Sequence, residues 1–174
     1  MDTKYLYCLK RLQAASQPFR IAVTGGRHVG KTTALKQFYT AGCRMGMRIY
    51  GVVENAVFEG DRRSGYEFMD LCTGETCAVA RRTESMEYQF FEHAWNWAES
   101  KLKISQGYDV LIVDELGRIE ARNLGWMPML CRSLEMCPRH LIASVRDDVL
   151  PDIESILGHF DEIVRIGEQP AAAS

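Results

Sequence analysis

The stretch TGGRHVGKTT, residues 24–33, decides the fold because it places three glycines between an apolar run and a helical pattern. Glycine weakens regular structure, so such a cluster indicates either a turn or a bound ligand. The residues before it, FRIAVTGG, predict a buried strand, and the residues after it, GKTTALKQFYTAG, predict a helix that ends at Gly42. The stretch is therefore predicted to join a strand to a helix.

This junction matches the phosphate-binding pattern G-x-x-x-x-G-K-[ST] in full. The glycines let backbone N–H groups turn inward around a β-phosphate, and the helix contributes its positive end. In this pattern Lys31 reaches the β- and γ-phosphates and the Thr32 hydroxyl binds Mg²⁺, while Thr33 either bonds the α-phosphate or starts the helix. The predicted ligands are thus a nucleoside triphosphate and Mg²⁺, and the predicted loop residues are Gly25, Gly26, Arg27, His28, Val29, Gly30, Lys31, Thr32 and Thr33.

A second segment, VLIVDELG at residues 110–117, supplies acids for the same site. Four apolar residues followed by acids are typical of a central parallel strand that is covered on both faces. We expect this strand to neighbour the loop strand, so that Asp114 lies at the ligand edge and binds Mg²⁺ through water. Glu115 can then take a proton from a water aligned on the γ-phosphate, and a solvated loop acid is the alternative.

Residues after these acids complete the predicted site. Gly117 has no side chain to keep its N–H away from the γ-phosphate, and Arg118 either stabilises transition-state charge or pairs with Glu120. Ser144 ends the strand pattern HLIASVR, where it can sense the γ-phosphate, and Arg146 can reach the nucleotide. The predicted catalytic residues are Lys31, Glu115 and Arg118.

Helix and strand patterns alternate along the rest of the chain. Helices are predicted at residues 3–15, 84–107, near 120–136, where Pro128 must begin, kink or break the helix, and 147–158. Further strands are predicted at residues 48–58, 66–72, 76–82, 140–146 and 161–167, with turns at 59–65 and 73–75. The predicted fold is α/β, a doubly wound, mainly parallel sheet of P-loop NTPase type with a β-hairpin insertion after the second strand. The predicted divisions are an N-terminal helical extension (1–17), the P-loop NTPase domain (18–168) and a flexible tail (169–174).

The composition of the chain limits which partners and which cellular location are predicted. A net charge of −2 gives no overall attraction to nucleic acid or to an anionic membrane, so neither is predicted as a partner. MDTKYLYCLK is too polar for a signal core, and no apolar run approaches the roughly 20 residues that span a bilayer. The six cysteines form no C-x-x-C pair, which favours idle thiols in a cytoplasmic protein over a zinc site at Cys72 and Cys77.

Four segments occur in the order and spacing of the thermophile and cancer-related nucleoside-triphosphatase family, which the chain resembles over about residues 19–166: GGRHVGKTT, GVVENAVFEGDRRSGYEF, VLIVDELGRIE and LIASVR. The resemblance implies Mg²⁺-dependent hydrolysis of nucleoside triphosphates, with loose base preference, by a small P-loop enzyme that carries an additional catalytic glutamate. Besides the phosphate loop, it extends to Asp114, Glu115, Gly117, Arg118, Glu120, Glu54 and the turn Arg63–Tyr66.

The chain departs from the family pattern at two places. His28 stands where relatives usually have glycine, and it either faces solvent or brings a titratable group near phosphate. The helix predicted at residues 3–15 precedes a loop that in relatives lies almost at the start of the chain.

Two other functions compete with hydrolysis. A small kinase would pass the γ-phosphoryl group to a nucleotide or metabolite and needs a basic lid, for which Arg62–Arg63 or Arg81–Arg82 are candidates. A nucleotide-driven switch with a protein partner is the third reading, since residues 114–117 also fit D-x-x-G. No N-K-x-D motif occurs, so guanine selectivity has no visible source.

Overall fold

Apolar strands and amphipathic helices alternate in the computed structural model, which describes residues 3–137 and 139–167. The strands form one eight-stranded sheet: β1 (Arg20–Gly25), β2 (Ile49–Glu59), β3 (Arg62–Asp70), β4 (Thr76–Arg82), β5 (Tyr88–Phe90), β6 (Val110–Leu116), β7 (His140–Arg146) and β8 (Glu162–Arg165). The helices are α1 (Thr3–Ala14), α2 (Lys31–Arg44), α3 (His93–Ile104), α4 (Met127–Met136) and α5 (Leu150–Leu157).

The order of strands across the sheet is β5-β4-β3-β2-β6-β7-β1-β8. Strands β2, β6, β7, β1 and β8 run parallel, while β2 to β5 are joined in antiparallel hairpins. The predicted α/β class, the mainly parallel sheet and the hairpin insertion are therefore confirmed. The prediction that β6 lies directly beside β1, the strand before the phosphate loop, is wrong, because β7 lies between β1 and β6.

Each face of the sheet buries its own apolar cluster, which is why helices cover both faces. On one face, α1 and α2 contribute fully buried side chains such as Leu9, Leu12 and Phe38. On the other face, α3, α4 and α5 pack over an aromatic group in which the rings of Phe68 and Trp126 lie 4.9 Å apart.

The N-terminal helix α1 belongs to the first of these clusters. Its residues Tyr5, Cys8, Leu9 and Leu12 are buried, and the ring of Tyr5 lies 4.7 Å from that of Phe38 on α2. The predicted divisions at residues 17 and 168 stay predictions, and the predicted tail, 169–174, lies outside the described residues. No helix in the described ranges is long and apolar enough to cross a lipid bilayer.

The predicted helix over residues 84–107 is wrong in its first part. Tyr88–Phe90 form β5 against β4, α3 begins only at His93, and Ser105–Gly107 form a 3₁₀ turn. Aromatic residues favour strands as well as buried helix faces, and here the free edge of β4 pairs with them. The second part of the predicted helix is in place, and its residues Ala98 and Leu102 are buried.

Two further boundaries differ from the prediction. The predicted turn at 59–65 is shorter, because β2 extends to Glu59 and β3 begins at Arg62. The predicted helix near 120–136 is split into a 3₁₀ turn, Glu120–Arg122, and helix α4. Pro128 lies in the first turn of α4, where its missing N–H has no helical partner to lose.

A buried ion network joins the hairpin insertion to α3. Asp70, only 1% exposed, accepts hydrogen bonds from the Tyr50 hydroxyl (2.6 Å) and the backbone N–H of Cys72 (2.8 Å). Lys101 lies 3.2 Å from Asp70 and 2.6 Å from Glu75. Burial alone would raise the pKa of Asp70, but these donors outweigh it and hold the pKa below its ordinary value.

We expect Asp70→Asn to lower the free energy of unfolding by about 2–3 kcal/mol at neutral pH, because the buried ammonium loses its charged acceptor. Since folding lowers the pKa of Asp70 from 3.8, the contribution is full above that value and is lost as the pH falls through the folded-state pKa. Urea unfolding of both proteins at neutral pH and below pH 3.8 measures this. Equal differences at both pH values would contradict it, and Asp61→Asn, at an exposed acid in the turn between β2 and β3, serves as control.

Candidate active site

Strand β6 carries an extra residue where it reaches the site. Val113 pairs with Ala143 and Leu116 pairs with Val145, so Asp114 and Glu115 both lie opposite Ser144 in a β-bulge. Glu115 adopts a left-handed φ of 64°, a conformation that costs a residue with a side chain about 1–2 kcal/mol. Side chains of neighbouring residues in a regular strand point to opposite faces of the sheet. Because of the bulge, Asp114 and Glu115 do not have to follow this alternation.

The Asp114 carboxylate is bonded from three directions and is only 2% exposed. The Thr32 hydroxyl donates to Oδ2 at 2.7 Å, and the Glu54 backbone N–H donates to the same oxygen at 3.3 Å. The Ser144 hydroxyl donates to Oδ1 and in turn accepts the Glu115 N–H at 2.7 Å. The phosphate loop, β2 and β7 therefore meet at one buried acid.

The phosphate loop connects β1 to α2 and encloses its own lysine. Lys31 is 7% exposed, and its Nζ donates to the carbonyl oxygens of Gly25 (3.1 Å) and Gly26 (2.7 Å). Both hydrogen-bond acceptors of Lys31 are therefore neutral carbonyls. A Cβ on Gly25 would lie 2.6 Å from the Ile166 carbonyl oxygen, so only glycine fits there.

His28 lies at the exposed crown of this loop with φ 59°. Glycine adopts this left-handed conformation without steric cost, which explains why glycine suits the position. The Nδ1 atom of His28 lies 3.4 Å from the Arg63 guanidinium, so this loop contacts the hairpin insertion.

A cavity of about 500 Å³ opens above these strand ends. It brings together residues from the phosphate loop, from β6 and β7, and from the hairpin. The lining residues are Arg27, His28, Gly30, Lys31, Thr32, Glu54, Ala56, Arg63, Tyr66, Glu115 and Arg146. This volume falls in the range of small-molecule sites.

Three acids, Glu54, Asp114 and Glu115, lie close enough together at the cavity for charge repulsion to raise pKa values among them. Burial and repulsion from Glu115 and Asp114 raise the pKa of Glu54 to about 8. Partial removal from water and the charge of Asp114 raise the pKa of Glu115, while Lys31 opposes this. Burial likewise raises the pKa of Asp114 against its hydrogen bonds. Acids crowded in this way favour a bound cation.

The oxygen donors of Thr32 and Asp114 suit Mg²⁺, which prefers oxygen ligands. Within the described ranges, no group of three or more His, Cys, Asp or Glu side chains is arranged to hold a metal ion. Mg²⁺ in nucleotide sites takes few protein ligands and completes its shell with substrate phosphates and water. The residues present therefore fit Mg²⁺ that arrives with a nucleotide.

Several predicted residues lie outside the cavity lining: Gly25, Gly26, Val29, Thr33, Asp114, Gly117 and Arg118. The Gly117 N–H donates to Glu120 Oε2 at 2.9 Å, so a phosphate contact would require this bond to open. Arg118 donates to Asp148 at 2.8 Å and 3.1 Å, which makes its predicted pairing with Glu120 wrong. Its predicted catalytic role stays a prediction. Thr33 is exposed in the first turn of α2.

Other residues reach the site from distant parts of the chain. Arg146 lines the cavity and donates to Asp148 at 3.0 Å, and Ser144 bonds Asp114 instead of standing free for a phosphate. The residue patterns offered Arg63 only as part of a kinase lid and gave Tyr66 no place in the site, whereas the family resemblance pointed to both residues. Pairing of the hairpin with β2 is the signal that would have found them.

A glycine-rich phosphate loop between β1 and α2, with β7 between β1 and the strand that carries Asp114, is typical of a P-loop nucleotide-binding protein. Residues 20–164 match a family model described as NTPase. The chain belongs to that NTPase family, and its enzymatic class is nucleoside-triphosphate hydrolase.

Named relatives agree with this assignment. The chain is 32% identical to nucleoside-triphosphatase THEP1 of Pyrobaculum aerophilum over 143 residues, 80% of each chain. It is 28% identical to THEP1 of Methanopyrus kandleri over 123 residues, 68% of each chain.

Two solved structures share the fold. The solution structure of a human cancer-related nucleoside triphosphatase aligns with a TM-score of 0.67 at 17% identity, covering 87% of this chain and 90% of that one. The crystal structure of THEP1 from Aquifex aeolicus gives 0.57 at 22% identity, covering 85% and 88%.

We expect Ser144→Ala to lower kcat by about 10–100-fold, because the acids of the bulge lose the hydroxyl that positions them. It should also lower the free energy of unfolding by about 1–3 kcal/mol, since a buried N–H and a carboxylate oxygen lose their partner. Ser133→Ala, at a buried serine that binds Arg139, should lose stability and keep kcat. Phosphate release and urea unfolding measure both effects, and an unchanged kcat in Ser144→Ala would refute the positioning role.

Proposed function

We propose that the protein hydrolyses nucleoside triphosphates to diphosphate and phosphate in a Mg²⁺-dependent reaction. The observation that carries this proposal is the 2.7 Å contact between Thr32 Oγ1 and Asp114 Oδ2, directly beside Glu115 at the cavity wall. The phosphate loop and the catalytic acid thus lie on opposite sides of one metal-binding point.

The loop and its lysine would bind the triphosphate tail. Backbone N–H groups at the start of α2 favour anions, because the helix places its positive end there. Lys31 would exchange its contacts with the Gly25 and Gly26 carbonyls for β- and γ-phosphate oxygens. The cost of this exchange is small, since one set of oxygen acceptors replaces another.

Thr32 and Asp114 would hold Mg²⁺, Asp114 through a water. Mg²⁺ held there would offset the negative charge that develops on the phosphates during phosphoryl transfer. The acids around Asp114 repel one another in its absence, which gives the cation a further reason to bind.

Glu115 would act as the general base. It lines the cavity next to Lys31 and Thr32, and its raised pKa makes it a stronger base than an ordinary glutamate. Glu115 takes one proton from the attacking water, the water oxygen bonds the γ-phosphorus, and the bond to the β–γ bridging oxygen breaks. The bulge and the φ of 64° orient this carboxylate before substrate arrives.

The NTPase relatives favour water as the acceptor over the kinase and switch functions. We propose loose base preference, because the cavity residues named above are those of a phosphate site. A cytoplasmic location agrees with six free cysteines.

We expect Glu115→Gln to keep nucleotide affinity and to lower kcat by about 100–10,000-fold, because the amide cannot accept the proton of the attacking water. Phosphate release with no added acceptor measures kcat, and calorimetry with a non-hydrolysable triphosphate measures binding. Glu99→Gln, a partly exposed acid on α3, is the control. Full turnover in Glu115→Gln would remove this residue from the mechanism.

We expect chelation of Mg²⁺ to abolish phosphate release, and Asp114→Asn to raise the Mg²⁺ concentration needed for half-maximal activity by about 10–100-fold. A Mg²⁺ titration of phosphate release measures the shift. Asp109→Asn, at an exposed acid before the start of β6, should leave the titration unchanged. Activity that survives chelation would refute the metal role of both Thr32 and Asp114.

A further inference from the structure

Three arginines line the cavity, and they differ in how their charge is compensated. Arg146 donates to both oxygens of Asp148, and Arg27 is exposed on the phosphate loop. Arg63 hydrogen-bonds Tyr66 and lies against His28, and in the described part of the chain it forms no ion pair with a carboxylate; Glu54 interacts with its charge only at longer range.

A second bulge turns Arg63 toward the cavity. In the β2–β3 hairpin, Phe58 pairs with Arg63 and Val57 with Gly65, so Ser64 is an extra residue. In a regular strand, residues 63 and 66 would face opposite sides. The extra residue lets Arg63 Nη1 donate to the Tyr66 hydroxyl at 3.0 Å, and both side chains line the cavity.

The surroundings of the guanidinium hold it in place but leave bonding capacity unused. Its carbon lies 5.4 Å from the ring centre of Tyr66 and 5.7 Å from that of Phe58, within reach of cation–π attraction. Its Nε is buried and has no hydrogen-bond partner. A buried donor on an unpaired cation favours an anionic oxygen, and a guanidinium binds phosphate oxygens through two N–H groups at once.

The position of Arg63 matches the terminal phosphate of a bound triphosphate. Thr32 and Asp114 would hold Mg²⁺ where the phosphate loop meets the end of β6, so the terminal phosphates of a bound triphosphate would lie in this cavity. Arg63 lines the same cavity as Glu54 and Ala56 of β2, and its Nη2 lies 3.4 Å from Nδ1 of His28 on the phosphate loop. Lys31 and Arg63 therefore face the same phosphates from two walls of one cavity.

We propose that Arg63 contacts the γ-phosphoryl group during hydrolysis, so that the chain supplies its own transition-state arginine from the hairpin insertion. This inference rests on the proposed hydrolysis at the phosphate loop. It gives the hairpin a catalytic task and assigns to Arg63 the role that the sequence pattern suggested for Arg118.

The test compares Arg63→Ala with Arg62→Ala, which removes the exposed neighbouring arginine outside the cavity lining. Arg63→Ala should lower kcat by at least about 100-fold and change ADP affinity by less than about 3-fold, because the contact forms with the γ-phosphoryl group. It should also lose the complex with Mg·ADP and aluminium fluoride, a mimic of the transferring phosphoryl group. Arg62→Ala should behave like wild type in all three measurements.

Two further measurements separate a catalytic contact from a structural one. Added guanidinium ion should partly restore turnover to Arg63→Ala, and Arg63→Lys should lie between alanine and wild type, since lysine keeps the charge and loses the paired N–H geometry. Equal loss of ADP binding and turnover, without rescue, would assign Arg63 to structure and overturn the proposal. A kcat within about 3-fold of wild type would overturn it as well.

A mixture of Arg63→Ala with Glu115→Gln tests whether the arginine acts within its own chain. If another copy supplied it, the mixture would regain turnover that neither variant shows, and the proposal would fail. The proposed hydrolysis fails separately, if the wild-type protein releases no phosphate from Mg·ATP without an added acceptor.

Discussion

The site depends on one buried carboxylate, Asp114, whose hydrogen bonds come from three separate parts of the fold. Thr32 binds it from the phosphate loop, Ser144 from β7 and the Glu54 backbone from β2. Burying a carboxylate without such donors would cost free energy. Because the donors come together only when the sheet has folded, folding of the sheet also assembles the site. The strand between β1 and β6 is essential here, because it carries the hydroxyl that links Asp114 to the backbone of Glu115.

Two β-bulges determine which side chains of the strands point into the cavity. One in β6 frees Glu115 from the alternation of its strand, and one in β3 does the same for Arg63. Both residues then line a single cavity with Lys31. The left-handed backbone of Glu115 stores local strain, which the Ser144 bond and the buried strand around it offset. Rigid strands thus present groups that loops would hold less firmly.

Local patterns predicted most of this molecule, and non-local pairing accounts for what they missed. The strand, glycine loop and helix around Lys31 follow from neighbouring residues, as does the acid that ends β6. The position of β7 between β1 and β6 depends on contacts across the whole chain, so spacing along the sequence could not predict it. The aromatic residues near Tyr88 suit a helix or a strand, and only the free edge of β4 decides between them. Arg118 and Arg146 each lie at or just beyond the end of a strand pattern, and both bind Asp148. Only Arg146 lines the cavity, which the sequence alone does not indicate.

Helix α1 limits how far the N-terminal end of this chain can be shortened. The family match begins at residue 20, after α1 has ended, yet α1 covers Phe38 and the apolar side of α2. A fragment that begins at residue 20 would expose this apolar surface of α2 to solvent. The first turn of the same helix contains Lys31 and Thr32 of the phosphate loop. The region that matches the family and the shortest chain that keeps this core covered are therefore different lengths of the same polypeptide.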